Sequence, residues 1–249
     1  MASEIVSVII PTHNRVELLK KAIDSVNRQT WHHKEIIVVD DASQDSTPLA
    51  LKELQKITLL SVIRNASPKG GGYARNQGIE AAKGHFVAFL DDDDTWLPTK
   101  LEKQIALFET VPNSAAVTCS YWDVYTDKTA KKIHITTVHD EQKLLTDNYL
   151  GGASMLLTTK KMLTLCGGFN HLLKSGQDWD LWIKLWRLGP ILVCDEPLVN
   201  YLSHANSRIS NNKLSVYEGR RKIYAIYKDR MTYPTRIKNW AILIANRLR

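Results

Sequence analysis

The feature that most constrains the fold is a regular alternation of short apolar runs with helical patterns through the first hundred residues. Four runs rich in β-branched residues predict buried strands: Ile5–Pro11, Glu35–Asp40, Ile57–Arg64 and His85–Leu90. Between them, apolar residues recur at helical spacing. Such alternation predicts an α/β fold, with helices covering a mostly parallel sheet.

Helix boundaries in this half can be predicted from capping residues. Asn14 is a candidate N-cap for the first helix, and Asp45 or Ser46 for the second. A third helix is predicted from the glycines at 70–72 to Ala82, and a fourth from Pro98 to about Glu109.

The second half of the sequence is less regular. Its apolar patterns predict three strands, Ala115–Tyr121, Trp122–Ile135 and Ser154–Thr159, the first two forming a hairpin around Asp127. Three helices are predicted, Trp179–Arg187, Leu214–Lys228 and Arg236–Leu248. No internal repeat or low-complexity linker separates the halves, so we expect them to pack as one unit.

Composition narrows the class of protein. The chain has 249 residues, 44% of them apolar and 24% charged, which suffices for one large core. Its three cysteines are widely spaced and form no CxxC pair, which argues against a disulfide framework or a zinc site. The sequence has neither an apolar run near the ~20 residues that span a bilayer nor a signal pattern at its start. We therefore expect a cytoplasmic protein.

Polar residues follow each of the four predicted parallel strands: residues 11–13, 40–41, 64–65 and 91–94. In sheets of this type, ligands bind outside the carboxyl ends of the strands. The sequence therefore predicts one ligand site at this edge of the sheet.

Asp91–Asp94 is the clearest chemical signal. Two carboxylates ~4 Å apart repel by about 4 kcal/mol at an effective dielectric of ~20, so four together require a cation, solvent or raised pKa values. Mg²⁺ or Mn²⁺ accepts one or two carboxylates and keeps positions for substrate phosphates. The alternative is a solvated acidic turn that caps the helix after Pro98.

Other candidates are weaker taken singly. Asp41 could accept hydrogen bonds from a base or a ribose. The glycines at 70–72 precede a helix that carries Arg75, a suitable place for a phosphate, although neither P-loop nor GxGxxG spacing is present. Asp178 and Asp180 could each be a helix-capping residue or a general base. His204 is either structural or a metal or phosphate ligand.

The net charge is +7, and the basic excess is concentrated between Arg208 and Arg249. Nucleic-acid binding is disfavoured because no binding motif is recognisable and the acidic cluster would repel a phosphate backbone. Two alternatives remain for the last predicted helix. It either lies in a membrane interface, giving peripheral association, or packs on the domain with a solvated basic face.

Together these motifs resemble the family 2 glycosyltransferases. The resemblance covers roughly Ser7 to Ser210. It rests on the segments SVIIPTHNR (7–15), EIIVVDDASQDST (35–47), GYARNQGI (72–79), FLDDDDTWL (89–97), GGF (167–169) and QDWDLWIKL (177–185).

The resemblance implies a GT-A fold, which is a Rossmann-like mixed, mostly parallel sheet flanked by helices, here with additional C-terminal helices. It implies a division into a nucleotide-sugar-binding half (1–112), an acceptor-binding and catalytic half (113–210) and a basic helical segment (211–249). It also implies Mn²⁺ or Mg²⁺ as cofactor and a UDP-sugar as the most common donor. The acceptor would be a hydroxyl of a glycan or lipid-linked saccharide in bacterial surface polysaccharide synthesis, such as lipopolysaccharide or capsule.

Site roles follow from the same resemblance. Pro11, His13 and Asp41 would line the nucleoside pocket, and Arg75 would lie near the base or phosphates. Asp91 and Asp93 match the two acids of the family's DxD motif. Asp93 would bind the metal, and Asp92 would contact the ribose or the ligand shell.

Asp178 matches the family's catalytic base, and His204 matches a histidine near the diphosphate or metal. The implied reaction is a single displacement that inverts the anomeric carbon. The sequence departs from the family at Gln177, where glutamate is usual, in the unbroken run of four aspartates, and in its longer glycine stretch. Alternatives on the same fold are a non-catalytic nucleotide- or sugar-binding module and a nucleotidyltransferase.

Overall fold

The structure is a computed structural model. It describes residues 4–125, 129–137, 139–203 and 213–247.

A single mixed sheet organises the described residues. Eight of its nine strands follow the order β3-β2-β1-β4-β8-β6-β9-β5. The ninth, β7, pairs with β6 beyond the part of β6 that pairs with β8. The strands are β1 Val6–Thr12, β2 Lys34–Asp40, β3 Leu60–Arg64, β4 Phe86–Phe89, β5 Thr95–Trp96, β6 Ala116–Tyr125, β7 Ala130–Ile133, β8 Leu157–Thr159 and β9 Ile191–Ser203.

Helices cover both faces of this sheet. They are α1 Val16–Asn27, α2 Thr47–Ile57, α3 Gly71–Ala81, α4 Lys100–Thr110, α5 Glu141–Thr146, α6 Lys160–Cys166, α7 Gln177–Trp186, α8 Lys213–Tyr227 and α9 Tyr233–Arg247. Short 3₁₀ turns lie at Ala153–Met155 and Lys228–Arg230.

The first four strands are parallel to one another, as the alternation predicts. β1 lies between β2 and β4, and its alternate residues enter different cores. Ile9 packs in the core beneath α3, α6 and α7, whereas Ile10 packs in the core beneath α1 and α4. Because both faces of β1 are covered, an unbroken apolar run is the expected sequence pattern.

The second half joins the same sheet and does not form a sheet of its own. β8 runs antiparallel to both β4 and β6, and β9 pairs antiparallel with β5. The sheet therefore crosses the predicted boundary between residues 112 and 113. Most of the paired positions in the sheet are nevertheless parallel, and β6 and β9 add a long parallel pair to those of the first half.

Strand β9 is the longest strand and was missed by the sequence analysis. Its pattern is interrupted by Asp195, Glu196 and Pro197, which read as a turn. In the structure the register shifts here, from Cys119 opposite Cys194 to Ser120 opposite Pro197. A bulge of this kind leaves the two acids exposed and lets the strand continue.

Three local predictions were wrong. The predicted break between the strands Ala115–Tyr121 and Trp122–Ile135 falls inside β6, which continues to Tyr125 before β7 begins at Ala130. Ile57 ends helix α2 and does not begin β3. Asn14 does not cap α1, whose N-cap is Arg15; Asn14 has φ 55° instead. Its side chain accepts hydrogen bonds from the backbone nitrogens of Gln44 (2.7 Å) and Asp45, and so joins the loops that follow β1 and β2.

The C-terminal helices pack against the second half. Ile223 and Tyr227 of α8 are buried in the core beneath α7, and Asn239 of α9 is buried against α5. Within the described ranges, no helix is long and apolar enough to cross a membrane.

Candidate active site

A cavity of about 520 Å³ opens at the carboxyl ends of β1, β2 and β4, where the sequence predicts the ligand site. Helices α7 and α8 close its opposite side. Eight of the nine predicted site residues line this cavity: Pro11, His13, Asp41, Arg75, Asp91, Asp92, Asp93 and Asp178. The ninth, His204, lies outside the described residues.

The four aspartates after β4 do not share one environment. Asp94 is buried, and its carboxylate accepts hydrogen bonds from Ser154 Oγ (2.6 Å) and the Leu202 backbone nitrogen (3.1 Å). Asp94 therefore joins the strand end to β9 and the turn at residues 153–155. Asp91, Asp92 and Asp93 face the cavity.

Carboxylate oxygens of Asp91, Asp93 and Asp94 lie within 4.8 Å of one another, a spacing that suits one metal ion. These donors are hard oxygens, which fits Mg²⁺ or Mn²⁺. Asp91 and Asp93 line the cavity, whereas Asp94 does not, so Asp91 and Asp93 are the ligands best placed for an ion at the cavity wall. That pair corresponds to the two ends of the DxD motif.

Arg15 is a cavity residue to which the sequence analysis gave no role. Its Nη1 lies 3.1 Å from both Asp92 Oδ1 and Asp93 Oδ2. The residue follows directly on the segment PTHN, so its position in the first motif was the available signal. One guanidinium thus offsets the repulsion between two neighbouring carboxylates.

Asp92 is held from two sides. Thr12 Oγ1 donates to its Oδ2 (2.7 Å), and Arg15 binds its Oδ1. Burial nevertheless raises the pKa of Asp92 to about 6, because desolvation outweighs the opposing effects of Arg15 and Thr12.

Asp41 organises the loop before α3. Its carboxylate accepts from Asn65 Nδ2 (2.8 Å), the Lys69 backbone nitrogen (2.9 Å) and the Gly70 backbone nitrogen (2.7 Å). A carboxylate offers about four acceptor positions, so three donors leave one for a ligand. Gly70 has φ +90°, a conformation that favours glycine.

His13 lies beside Asp41 at the cavity wall. Its Nδ1 is 2.7 Å from the backbone oxygen of Asp41, and its Nε2 is 3.0 Å from Asn14 Nδ2. The loops after β1 and β2 are therefore fixed to each other where the resemblance places the nucleoside.

Arg75 connects the two sides of the cavity. It forms an ion pair with Asp91 and donates from Nη1 to Gln177 Oε1 (3.2 Å), while its guanidinium carbon lies 5.2 Å from the centre of the Phe169 ring. Burial acts to lower its pKa, but Asp91 and Asp178 outweigh burial and raise it. Its buried Nε has no hydrogen-bond partner within the described part of the chain.

The glycine stretch makes room for this arrangement. A Cβ on Gly72 would lie 3.0 Å from the Gln177 side chain, and one on Gly71 would lie 3.0 Å from Arg75 Nη1. Gln177, the residue that departs from the family pattern, therefore holds Arg75 with a neutral amide oxygen.

Asp178 and Asp180 have different surroundings although both lie in the first turn of α7. Asp180 is buried behind the helix, where it accepts from Tyr227 Oη (2.7 Å) and pairs with Lys184 (2.9 Å). Asp178 lines the cavity, and its buried Oδ1 has no hydrogen-bond partner among the residues described. The structure thus separates two carboxylates that the sequence left equivalent.

The pKa of Asp178 is raised to about 6. Burial is the largest cause, the nearby Arg75 opposes it, and Asp91 adds to it. A carboxylate with a pKa near 6 is ionised at neutral pH yet is a better proton acceptor than an ordinary aspartate. The group therefore suits general-base chemistry.

Helix α8 supplies a further residue that sequence reasoning missed. Arg220 lines the cavity, donates to the Thr146 backbone oxygen (2.8 Å) and to Asp147 Oδ1 (2.7 Å), and lies 4.8 Å from the ring centre of Trp179. The basic tail was recognised as a cluster, but the sequence does not show which member turns inward.

The tryptophans of α7 are mainly core residues, as their spacing favours. Trp182 is buried and donates from Nε1 to the Gly151 backbone oxygen (2.8 Å). Trp179 is also buried and donates to the Leu144 backbone oxygen (2.6 Å), although one edge borders the cavity.

The sheet flanked by helices is a GT-A fold. Comparison with known sequences identifies the family: the profile of glycosyl transferase family 2 matches residues 7–174. The chain belongs to that family.

Curated relatives carry related names. An uncharacterised glycosyltransferase of Haemophilus influenzae is 31% identical over 186 residues, covering 72% of this chain and 61% of that protein. UDP-Glc:alpha-D-GlcNAc-diphosphoundecaprenol beta-1,3-glucosyltransferase WfgD of Escherichia coli is 29% identical, covering 74% and 71%. The putative teichuronic acid biosynthesis glycosyltransferase TuaG of Bacillus subtilis is 29% identical, covering 90% and 88%.

Solved structures share the fold. TarS of Staphylococcus aureus, residues 1–349 in complex with UDP-GlcNAc, superposes with a TM-score of 0.71 at 21% identity, covering 88% of this chain and 65% of that one. Mannosyltransferase PcManGT of Pyrobaculum calidifontis, in complex with GDP-Man and Mn²⁺, gives 0.69 at 21% identity, covering 97% and 70%.

Proposed function

We propose that this family 2 enzyme is an inverting, metal-dependent glycosyltransferase that moves a sugar from a nucleotide-sugar donor to a hydroxyl of a saccharide acceptor. One observation carries the proposal. The predicted nucleoside, DxD and base residues line a single cavity, and Asp178, whose buried Oδ1 has no hydrogen-bond partner among the described residues, lines it together with Asp91 and Asp93.

The nucleotide would occupy the side formed by β1 and β2. Pro11, His13 and Asp41 line that side, and Asp41 keeps one acceptor position for a base or ribose donor. Arg75 and Arg15 border the acids and supply positive charge beside the diphosphate. The unpartnered Nε of Arg75 is an additional donor for an anionic group.

Asp91 and Asp93 would hold the metal, with Asp92 contacting the ribose or the ligand shell. A bound Mn²⁺ or Mg²⁺ would neutralise the charge that develops on the leaving diphosphate. Arg75 is positioned by Gln177 and Phe169 to contribute to the same neutralisation.

Asp178 would act as the base. Its carboxylate accepts the proton of the acceptor hydroxyl while that oxygen bonds to the anomeric carbon, and the bond from this carbon to the diphosphate oxygen breaks. One in-line displacement inverts the carbon, so an α-linked donor gives a β-glycoside. The logic parallels that of the general base in an inverting glycosidase, with a sugar hydroxyl in place of water.

We propose a UDP-sugar as donor and a glycan or lipid-linked saccharide as acceptor, in bacterial surface polysaccharide synthesis. WfgD's name gives a UDP-Glc donor and a diphosphoundecaprenol-linked acceptor, and TuaG's name gives teichuronic acid biosynthesis. TarS was solved with UDP-GlcNAc, whereas PcManGT was solved with GDP-Man, so the nucleotide needs a direct test.

The test is nucleotide release from a panel of UDP-, dTDP- and GDP-sugars. Each donor is incubated with Mn²⁺, Mg²⁺ or EDTA, using wild type, Asp93→Ala and, as a matched control on an exposed helix face, Asp24→Ala. We expect metal-dependent release from one donor class, retained by Asp24→Ala and lost in Asp93→Ala.

Other outcomes separate the alternatives. Tight donor binding that stays without turnover when candidate saccharide acceptors are added would favour a non-catalytic binding module. Consumption of a nucleoside triphosphate with release of pyrophosphate would favour a nucleotidyltransferase. No binding and no release with any donor would overturn the nucleotide-sugar assignment.

A further inference from the structure

A helix packed on a domain is expected to bury its apolar side chains and expose its polar ones. Helix α9 shows the reverse at several positions. The residues that it buries against the protein include the polar Thr235 and Asn239. Tyr233, Ile237 and Trp240 are instead exposed, by 77%, 49% and 61%. Such an inversion leaves an apolar surface in contact with solvent.

The exposed residues form one stripe. Tyr233, Ile237, Trp240 and Ile244 are spaced by four, three and four positions, and at 100° per residue they fall within an arc of about 60°. We call these four residues the α9 stripe. On the same helical wheel, Thr235 and Asn239 lie on the opposite side of α9, so the α9 stripe faces away from the domain.

The buried side of α9 is fixed by specific contacts. Asn239 Nδ2 donates to the backbone oxygens of Leu145 (3.2 Å) and Thr235 (3.1 Å). Thr235 Oγ1 lies 3.0 Å from Thr232 Oγ1. Because the contact to Leu145 joins α9 to α5, the α9 stripe cannot turn inward without breaking it.

The segment that carries the stripe is strongly basic. Residues 213–247 contain nine Lys or Arg and two acids, Glu218 and Asp229, a net charge equal to the +7 of the whole chain. On α9 itself, the exposed Arg236 lies about 40° from Trp240 on the helical wheel and so borders the stripe. An apolar stripe with an exposed tryptophan and a bordering arginine, on a basic segment, matches the interface of an anionic bilayer, where Trp lies at headgroup depth.

We propose that the α9 stripe docks this protein on the surface of an anionic lipid bilayer, with α9 lying in the plane of the interface. The apolar side chains enter the headgroup boundary, and Arg236 at the edge of the stripe contacts acidic headgroups. The inference rests on the C-terminal helices and stands whether or not the proposed function is correct.

The test is co-sedimentation of the full chain with vesicles of phosphatidylcholine containing 30% phosphatidylglycerol, and with vesicles of phosphatidylcholine alone. We expect binding to the anionic vesicles, weakened by salt. The double variant Ile237→Ser/Trp240→Ser should lower the partition coefficient about tenfold or more.

A matched control is available in Ile57→Ser/Leu59→Ser. These side chains are also exposed, by 81% and 85%, but Ile57 ends α2 and Leu59 lies in the link to β3. It should change partitioning less than twofold. A second pair within the stripe, Tyr233→Ser/Ile244→Ser, guards against a folding defect in the first. Thermal midpoints are recorded for all variants.

Three results would overturn the proposal. One is the absence of wild-type binding to anionic vesicles, and another is equal binding by the stripe variants. The third is a wild-type dimer in sedimentation velocity that Ile237→Ser/Trp240→Ser converts to monomer without any change in vesicle binding, which would assign the stripe to a second copy of the chain. Equal wild-type binding to both vesicle types would also contradict the proposal, because it would show that acidic headgroups are not recognised.

Discussion

Asp178 and Asp180 lie two residues apart on helix α7, and their carboxylates face opposite sides of it. Asp178 faces the cavity with Oδ1 unpartnered among the described residues, and Asp180 faces Tyr227 and Lys184 in the core. Two residues along a helix correspond to a rotation of about 200°, so helix geometry alone accounts for the difference. The pair therefore offers a matched test of the base.

Asp178→Asn should greatly slow sugar transfer and stabilise the fold. We expect kcat to fall about 10²–10⁴-fold with donor binding retained, because the proton acceptor is lost. Burial raises the folded-state pKa from 3.8 to about 6, so ionised Asp178 destabilises the protein at pH 7.5 and this cost disappears below about pH 4. The variant should gain on the order of 1–3 kcal/mol at pH 7.5 in chemical denaturation.

Asp180→Asn is the control, and we expect it to lose stability and keep its activity. It weakens the contacts to Tyr227 and Lys184, so we expect a loss of about 1–3 kcal/mol with kcat nearly unchanged at temperatures where the variant is folded. Equal loss of kcat in both variants would contradict the assignment of the base.

The pH dependence of activity follows from the pKa of Asp178. The reactive form is the carboxylate, so kcat should fall as pH drops through about 6. Arg75 holds this pKa down, and Arg75→Gln should therefore move the acidic limb to higher pH in addition to reducing the rate. An acidic limb that stays in place in Arg75→Gln would show that another group titrates.

Arg15 should matter for stability mainly when no metal is bound. In EDTA and low salt, Arg15→Gln leaves Asp92 and Asp93 without their shared cation, and we expect a loss of about 1 kcal/mol. Saturating Mn²⁺ should recover most of it, as measured by thermal unfolding. The exposed Arg28–Asp24 pair supplies the control, because Arg28→Gln should have little effect in either buffer.

Gly78 is required by the close packing of α3 on β1. A Cβ at this position would lie 2.4 Å from Ile9 Cγ2 in the core, so Gly78→Ala should destabilise the protein by about 1–3 kcal/mol despite the higher helix propensity of alanine. Glu80→Ala, on the exposed face of the same helix, should be nearly neutral in the same urea titration.

The parallel half of the sheet and most of the cavity could be predicted from the sequence, because β1, β2 and β4 are unbroken apolar runs whose ends carry the motif residues. Strand β9 could not, since Asp195 to Pro197 resemble a turn unless the bulge opposite Ser120 is known. Arg220 was equally hidden, because the packing of α8 alone decides which basic side chain reaches the cavity.

The four aspartates show the same limit at a finer scale. Their sequence predicts a cation site, but hydrogen bonds from Ser154 and Leu202 are what withdraw Asp94 from it. Those partners are 60 and 108 residues away along the chain. The sequence pattern around the four aspartates carries no information about contacts with residues so far away along the chain.

The most direct test of single displacement is the anomeric configuration of the sugar released from an α-linked donor, followed by NMR before mutarotation. Water then takes the place of the acceptor hydroxyl in wild-type enzyme with metal, and Asp178→Asn controls for uncatalysed release. Initial formation of the β-sugar, absent in Asp178→Asn, is the predicted result. Initial formation of the α-sugar would contradict a single displacement assisted by Asp178.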